Sequence, residues 1–468
     1  MVASTPLHDR GNNPFSTSSD VYDWLSAFAN LERGQNIKNF GLDRIRALAE
    51  LAGHPETYAP SIHMAGSKGK GSVTGMIAAI LSAGGIKTAR YASPHVNDFR
   101  ERITLAGDFF GEDVYSDAGN ELWRIVEGLP QSPFAPLFDR SCANGEEASF
   151  FELATLWFFL CARRASCQAM AVETGMGGRL DATNIVDPLA SVITIIELEH
   201  TEYLGNTIAA IAGEKAGIIK PGRPVFLAEQ NEEALAVFKE HAERKKSPLL
   251  YFPEHAEVHD IHLSRDGVSF TLKMRDQTLE HLTVPIAGKV QAYNAGLAVL
   301  TLKTVYPDIG EQSIRQGLSG FTLPARFQRL CVNPPVIVDG AHTPASVQMC
   351  VEAFSSLYGE SGVLLFGCAD GKDVLGMAKV CLSRFSRIII TTPGTFKKSK
   401  PEDVYATFSG EAKTQSLKPS VHFIPDTAAA VDKALELARE FELPVLGTGS
   451  FYMVAEIQKR LDMLGEGD

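Results

Sequence analysis

Apolar positions along this chain follow two rhythms. Short continuous apolar runs alternate with longer segments in which apolar residues recur at every third or fourth place. The first pattern suits a strand buried on both faces and the second an amphipathic helix. VYDWLSAFANL and LDRIRALAELAG read as helices. SIHMAG follows as a buried strand, and SVTGMIAAILSAGGI as a helix stopped by its Gly-Gly pair. CQAMAVETG, SVITII and RPVFLAE read as strands, with TIAAIAGEKAGIIK and NEEALAVFKEHAERKK as helices between and after them. Such alternation predicts α/β architecture: a parallel sheet with helices on both faces. Around 255–287 the short alternating stretches SFTLKM and LTVPIAG predict an antiparallel edge or flap. A second α/β series begins after LPARFQRL, with PVIVDGAH, GVLLFGCADG, RIIITTPG and PVLGTGS as strands. Pro324 interrupts the pattern, so a boundary is expected at 322–326, dividing residues 1–322 from 323–468. Residues 1–20 are polar and rich in Gly, Ser and Asn, and are expected to be loose.

Composition narrows the class of protein. A length of 468 residues exceeds one ordinary core, in keeping with two or three domains. The hydrophobic fraction of 45% and charged fraction of 21% are those of a soluble globular chain, expected in the cytoplasm. A net charge of −12 argues against a nucleic-acid partner, so any anionic ligand must be held by a local pocket. No apolar run reaches membrane-spanning length, and MVASTPLHDRGNNPF lacks the apolar core of a signal peptide. Seven cysteines without a CxxC pair read as reduced thiols.

Candidate chemistry concentrates after SIHMAG. Gly66-Ser67-Lys68-Gly69-Lys70-Gly71-Ser72 lies between a strand and a helix. Its glycines let successive N–H groups turn toward an anion, the helix beginning near Ser72 adds its positive end, Lys70 adds a charge for the β- and γ-phosphates, and Ser72 can ligate magnesium. The spacing differs from the usual phosphate loop, because its first spacer is short and a glycine separates lysine from serine. Downstream, QAMAVETG delivers Glu173 to the end of a strand, from which a carboxylate can hold magnesium. SVITIIELEH is read the same way, with His200 ending its strand. A glycine-rich turn, a capping acid and a structural histidine are the plainer alternatives for each feature alone.

HMAGSKGKGS, SPHVNDFRERI, ETGMGGRLDATNI, LEHTEYLGNTIAAIAGEKAGIIKPG, LPARFQ and VDGAHTPAS together resemble the folylpolyglutamate synthase/dihydrofolate synthase family of the Mur ligase superfamily. The matches run in order over nearly the whole chain. The resemblance implies a Mur-ligase-like fold: a large N-terminal phosphate-loop ATPase domain with a parallel sheet and the folate site, and a smaller Rossmann-like C-terminal domain closing on ATP and glutamate. It implies ligation of L-glutamate to a folate through an acyl phosphate. Implied cofactors are ATP, magnesium as one ion or two, and a monovalent cation; implied partners are small-molecule substrates. Short apolar edges give no clear association surface, so a monomer away from membranes is expected.

By the same resemblance, magnesium is held by Ser72, Ser93, Glu173 and His200. Lys70, His200 and Lys215 are catalytic, the last carbamylated in much of the family. ATP meets Gly66, Ser67, Lys68, Gly69, Lys70, Gly71, Ser72, Asn294, Arg326, Asp339 and His342. Folate or pteroate meets Gly41, Leu42, Asp43, Phe150, Phe151, Leu180, Asp181 and Ala182, the two phenylalanines being placed just before a helix. Ser450 in GTGSFY is assigned to glutamate. The chain departs from the family pattern at Ser67-Lys68, Glu199, Val290 and Thr343, none of them an implied metal ligand. Dihydrofolate synthase acting on dihydropteroate stays open as an alternative. So do, more remotely, a cell-wall Mur ligase, a phosphate-loop kinase or ATPase, and a nucleotide sensor.

Overall fold

The computed structural model describes residues 13–31, 40–142, 145–394, 397–415 and 419–465. They form two compact units. The first comprises Met1–Asp260, Phe270–Thr283 and Ala292–Phe321; the second comprises Ile261–Ser269, Val284–Gln291 and Thr322–Asp468.

The first unit is built on eight strands: β1 Ser61–Ala65, β2 Thr88–Tyr91, β3 Ile103–Leu105, β4 Asp108–Phe109, β5 Ala169–Glu173, β6 Ala190–Ile193, β7 Val225–Leu227 and β8 Leu249–Tyr251. Their order across the sheet is β4-β3-β2-β5-β1-β6-β7-β8. From β2 to β8 the strands run parallel, and β3 and β4 join as an antiparallel edge. β1 and β5 are buried along their whole length, as expected of strands covered on both faces. One core packs the helices Glu112–Gly128 and Phe150–Arg164 against β2 and β5. Another packs Ile208–Ala216 and Glu232–Lys245 against β6 and β7.

Phe150–Arg164 shows how sequence makes such an element. Ser149 Oγ accepts from the Glu152 amide at 3.2 Å and a Glu152 carboxylate oxygen accepts from the Ser149 amide at 2.8 Å, a reciprocal cap. Apolar residues then occupy every face, so the helix is buried almost throughout. Of the start expected to be loose, 1–20, residues 1–12 lie outside the described residues. From 13 onward it is overturned: Phe15 is buried, its amide donates to Asn120 Oδ1 at 2.9 Å, and a capped helix begins at Ser18.

Strands β9 Ala256–Ser264, β10 Gly267–Met274 and β11 Thr278–Val284 form a three-stranded sheet at the expected place. The second unit carries β12 Gln328–Val332, β13 Pro335–Val338, β14 Val363–Phe366, β15 Arg387–Ile390, β16 Ser420–Phe423 and β17 Val445–Thr448, in the order β12-β13-β17-β14-β15-β16. All pair in parallel except β12 with β13. All seven cysteines are free thiols, and Cys142 alone among them is exposed. Among the described residues, no helix is long and apolar enough to cross a membrane.

Candidate active site

Strands β2, β5, β1 and β6 are neighbours and parallel, so their carboxyl ends form one rim, where ligands of open α/β sheets gather. The expected residues follow that order. Ser93 comes just after β2, Glu173 is the buried last residue of β5, Gly66 to Ser72 follow β1, and Glu199 and His200 come after β6. Positions more than a hundred residues apart in sequence thus become adjacent.

The glycine-rich loop at 66–72 is backbone-limited. Gly66 has φ +145° and Gly69 φ +89°, and the helix Lys70–Ala83 begins directly after Gly69, slightly earlier than expected. A Cβ on Gly66 would overlap Thr194 Oγ1, and one on Gly69 would lie 2.8 Å from Asn294 Oδ1. Both positions need glycine for room as well as for conformation. Gly66→Ala is therefore expected to lower stability by about 2–3 kcal/mol and to weaken nucleotide binding at least ~10-fold. Thermal unfolding and titration with a non-hydrolysable ATP analogue check both.

Side chains lock the loop to the next strand end. The Ser67 amide donates to Ile195 O at 2.9 Å and its hydroxyl to Glu197 O at 3.0 Å. Lys70 Nζ donates to Gly66 O at 2.8 Å, and Lys215 Nζ donates to the same carbonyl at 3.0 Å. Glu199 Oε1 accepts from Lys215 Nζ at 2.8 Å. Lys215 is 1% exposed, and burial lowers its pKa to about 8; Glu199 opposes that fall and Lys70 adds to it. Burial pushes the Glu199 carboxyl upward, but Lys70 and Lys215 outweigh it and hold the group at about 2. Both partners are charged near neutral pH, with the heavier desolvation falling on the more deeply buried lysine.

The sign of the pH dependence follows. Glu199 contributes stability above its ordinary range near 4.5, lost as pH falls toward 2. Lys215 costs stability while protonated, a cost that fades as pH rises from about 8 toward its ordinary 10.5. Glu199→Gln leaves a buried cation without its counter-charge. It is expected to destabilise the protein by about 2–4 kcal/mol at pH 6, and by under ~1 kcal/mol at pH 9, where the amine is neutral. Denaturant unfolding at the two pH values measures this. The pairing could have been anticipated, because a buried lysine requires a carboxylate and Glu199 adjoins an expected site histidine.

Two expectations are corrected here. His200 does not end a strand: β6 stops at Ile193, and His200 is an exposed residue with φ 46° at the start of the short helix Thr201–Leu204. The apolar run looked like strand to its end, but the Gln230 side chain takes over its backbone groups. Gln230 Nε2 donates to Thr194 O at 2.9 Å, and its Oε1 accepts from the Ile196 amide at 3.1 Å. Phe150 and Phe151 do not precede a helix; they open it. Phe150 is core, with Tyr22 edge-on at 6.0 Å and the Arg102 guanidinium over its ring at 5.5 Å. Phe151 is half-buried and packs against Gly175.

Other expected residues fall as follows. Gly41 and Leu42 are half-buried and Asp43 is exposed, leading into the helix Asp43–Leu51. Leu180 is half-buried, while Asp181 and Ala182 are buried. Asp181 has both carboxylate oxygens engaged by internal donors: the Gly175, Met176 and Thr183 amides and the Thr183 hydroxyl. Arg90 on β2 was not singled out in sequence. Burial lowers its pKa while the charges of Glu173 and Glu101 raise it, so a buried cation stands within electrostatic reach of the rim carboxylate.

In the second unit, Asp339 follows β13 and accepts from the Phe327 and Ala341 amides, each at 2.8 Å. His342 Nδ1 lies 2.8 Å from Gly340 O. The Arg326 guanidinium lies 4.5 Å over the ring of Phe451. Ser450 is a buried helix cap whose Oγ accepts from the Tyr452 amide at 3.2 Å.

The donor set at the first rim suits magnesium. The expected ligands include the Glu173 carboxylate and the hydroxyls of Ser72 and Ser93, hard oxygen donors of the kind magnesium takes. Among the described residues no group of three or more His, Cys, Asp or Glu forms an all-protein cage. Magnesium held jointly with a nucleotide needs none.

Residues 146–302 match the Mur ligase middle domain and residues 325–451 the Mur ligase glutamate ligase domain. The chain is 30% identical over 426 residues to the Bacillus subtilis protein named dihydrofolate synthase/folylpolyglutamate synthase, covering 90% of this chain and 95% of that one. Its fold matches Mycobacterium tuberculosis folylpolyglutamate synthase, solved with ADP and AMPPCP, with a TM-score of 0.82 and 26% identity over 94% of this chain and 97% of that one. A folylpolyglutamate synthase complex with AMPPCP and folate matches with a TM-score of 0.77 and 26% identity, covering 95% of this chain and all of that one, a share of 100%.

Proposed function

Because the chain belongs to the folylpolyglutamate synthase/dihydrofolate synthase family of Mur ligases, and is thus an ATP-dependent ligase, we propose that it adds L-glutamate to the terminal carboxyl of a reduced folate. The observation that carries this reading is the first unit's rim. There a phosphate loop with two lysines on one carbonyl lies beside a buried strand-end carboxylate.

The proposed chemistry joins two anions, a folate carboxylate and the γ-phosphate of ATP. The loop amides and Lys70 bind the phosphates, and Lys215, neutralised in part by Glu199, sets the charge behind them. Glu173, Ser72, Ser93 and His200 would hold magnesium, which supplies charge neutralisation at the transferring phosphoryl group. The carboxylate oxygen bonds to the γ-phosphorus as its bond to ADP breaks, giving an acyl phosphate. The amine of glutamate then attacks the acyl carbon, a proton leaves the nitrogen, and phosphate departs. Catalysis here is positioning and electrostatic stabilisation. Arg326, Asp339 and His342 are assigned to the nucleotide and Ser450 to glutamate. Asp339 and Ser450 would do so while keeping their backbone bonds.

A second reading, that dihydropteroate is also a substrate, is supported by the double name of the Bacillus subtilis relative. Phosphate release from ATP, measured with glutamate plus tetrahydrofolate and separately with glutamate plus dihydropteroate, separates the two. Release with both substrates is the bifunctional result, and release with tetrahydrofolate alone leaves polyglutamylation only. Release indifferent to glutamate would overturn the ligase chemistry.

A further inference from the structure

His63 sits in the middle of β1 between Ile62 and Met64, wholly buried, where an apolar side chain would be the undemanding choice. Its Nε2 lies 2.8 Å from Thr183 Oγ1, and its Nδ1 makes no hydrogen bond among the described residues. Thr183 Oγ1 in turn donates to Asp181 Oδ1 at 2.5 Å. A hydroxyl has one proton to give, so toward His63 it accepts, which puts the imidazole proton on Nε2 and leaves Nδ1 a bare acceptor. Burial and the charge of Lys220 lower the His63 pKa to about 3, so the ring is neutral. A neutral buried imidazole with one unpaired nitrogen is costly to keep, and the one bond it makes is to Thr183.

That bond ends a relay running His63, Thr183, Asp181. At its far end Asp181 Oδ2 accepts from the amides of Gly175 and Met176, each at 2.9 Å. These two residues form the turn that leaves β5 just after Glu173, and Gly175 packs so closely on Phe151 that a Cβ there would lie 2.5 Å from its ring. The relay thus ties the strand that enters the phosphate loop to the turn beside the half-buried aromatic residue.

We infer that His63 and Thr183 are positioning residues for the folate side of the site, holding Asp181 so that its carboxylate pins the Gly175–Met176 turn. The inference rests on the folate reading above for its kinetic consequence, but its structural consequence can be measured without substrate.

Thr183→Val keeps the shape and removes the hydroxyl; Thr183→Ser keeps the hydroxyl. In Thr183→Val the KM for tetrahydrofolate is expected to rise about 10-fold or more while the KM for ATP stays within about twofold, and Thr183→Ser is expected to stay near the parent enzyme. Amide hydrogen exchange at Gly175 and Met176 is expected to quicken about 10-fold or more in the valine variant and little in the serine variant. Where Thr183→Val does not fold, His63→Leu carries the same two readouts. A lowered Tm with both KM values and both amides unchanged would overturn the inference, since that is what a purely structural contact does. Should the parent enzyme use no folate, the folate reading fails alone, and the exchange rates still decide the relay.

Discussion

Glu173→Gln is expected to reduce ligase turnover by about 10³-fold or more while leaving the thermal midpoint within a few degrees of the parent. The substitution keeps the size and hydrogen-bonding outline of the side chain and removes its charge. The β5 backbone is held by its ladders to β1 and β2, and buried Arg90 keeps the charge of Glu101. What does depend on the Glu173 charge is the balance of charge at the rim. Lys70, Lys215 and Arg90 bring cations near it, Glu199 offsets Lys215, and Glu173 is the remaining anion assigned to hold magnesium. A divalent ion held by hydroxyls and a neutral amide is bound weakly, because hard cations take most of their affinity from ionised oxygen. Raising the magnesium concentration is expected to recover part of the lost activity. Phosphate release at several magnesium concentrations, alongside a melting curve, makes the check. Near-normal turnover at ordinary magnesium would refute the assignment.

Lys70→Met is the second large effect. Turnover is expected to drop by about 10²- to 10³-fold, with ATP affinity falling less steeply than kcat, because the ammonium matters most when charge develops on the phosphoryl oxygens. The methionine preserves the stem that runs along the loop, and loses the bond from Nζ to Gly66 O. Lys215 would still donate to that carbonyl, so the loop keeps one of its two ties. A change in the folded state is registered by Lys215 itself. With a neighbouring positive charge gone, its pKa moves back up from about 8 toward the ordinary lysine range. Burst and steady-state kinetics separate the kcat effect from binding, and an unchanged kcat would remove Lys70 from the phosphoryl-transfer step.

Sequence patterning reached far into the first rim. The glycine-rich loop at 66–72, the helix it opens and Glu173 at a strand end all follow from local chemistry: glycines where φ must be positive, an apolar run of strand length, and an acid at its end. The double α/β layout was equally readable, since alternating periodicities survive in one dimension. Errors arose where the side chain of a distant residue changed what the backbone did. SVITIIELEH looked like strand through its apolar run, yet Gln230 ends β6 early and His200 turns left-handed outside it.

Local composition therefore settled which segments become strands, helices and the glycine-rich loop between them, because those choices depend on neighbours a few residues apart. It could not settle that β5 inserts between β2 and β1, which alone sets Glu173 beside the loop. Nor could it converge two lysines on the Gly66 carbonyl, or join His63 to Asp181 through Thr183. Those arrangements come from burial: once helices close over the sheet, every charge or proton donor left inside must find a partner, and the partner is whichever group the packing brings within reach.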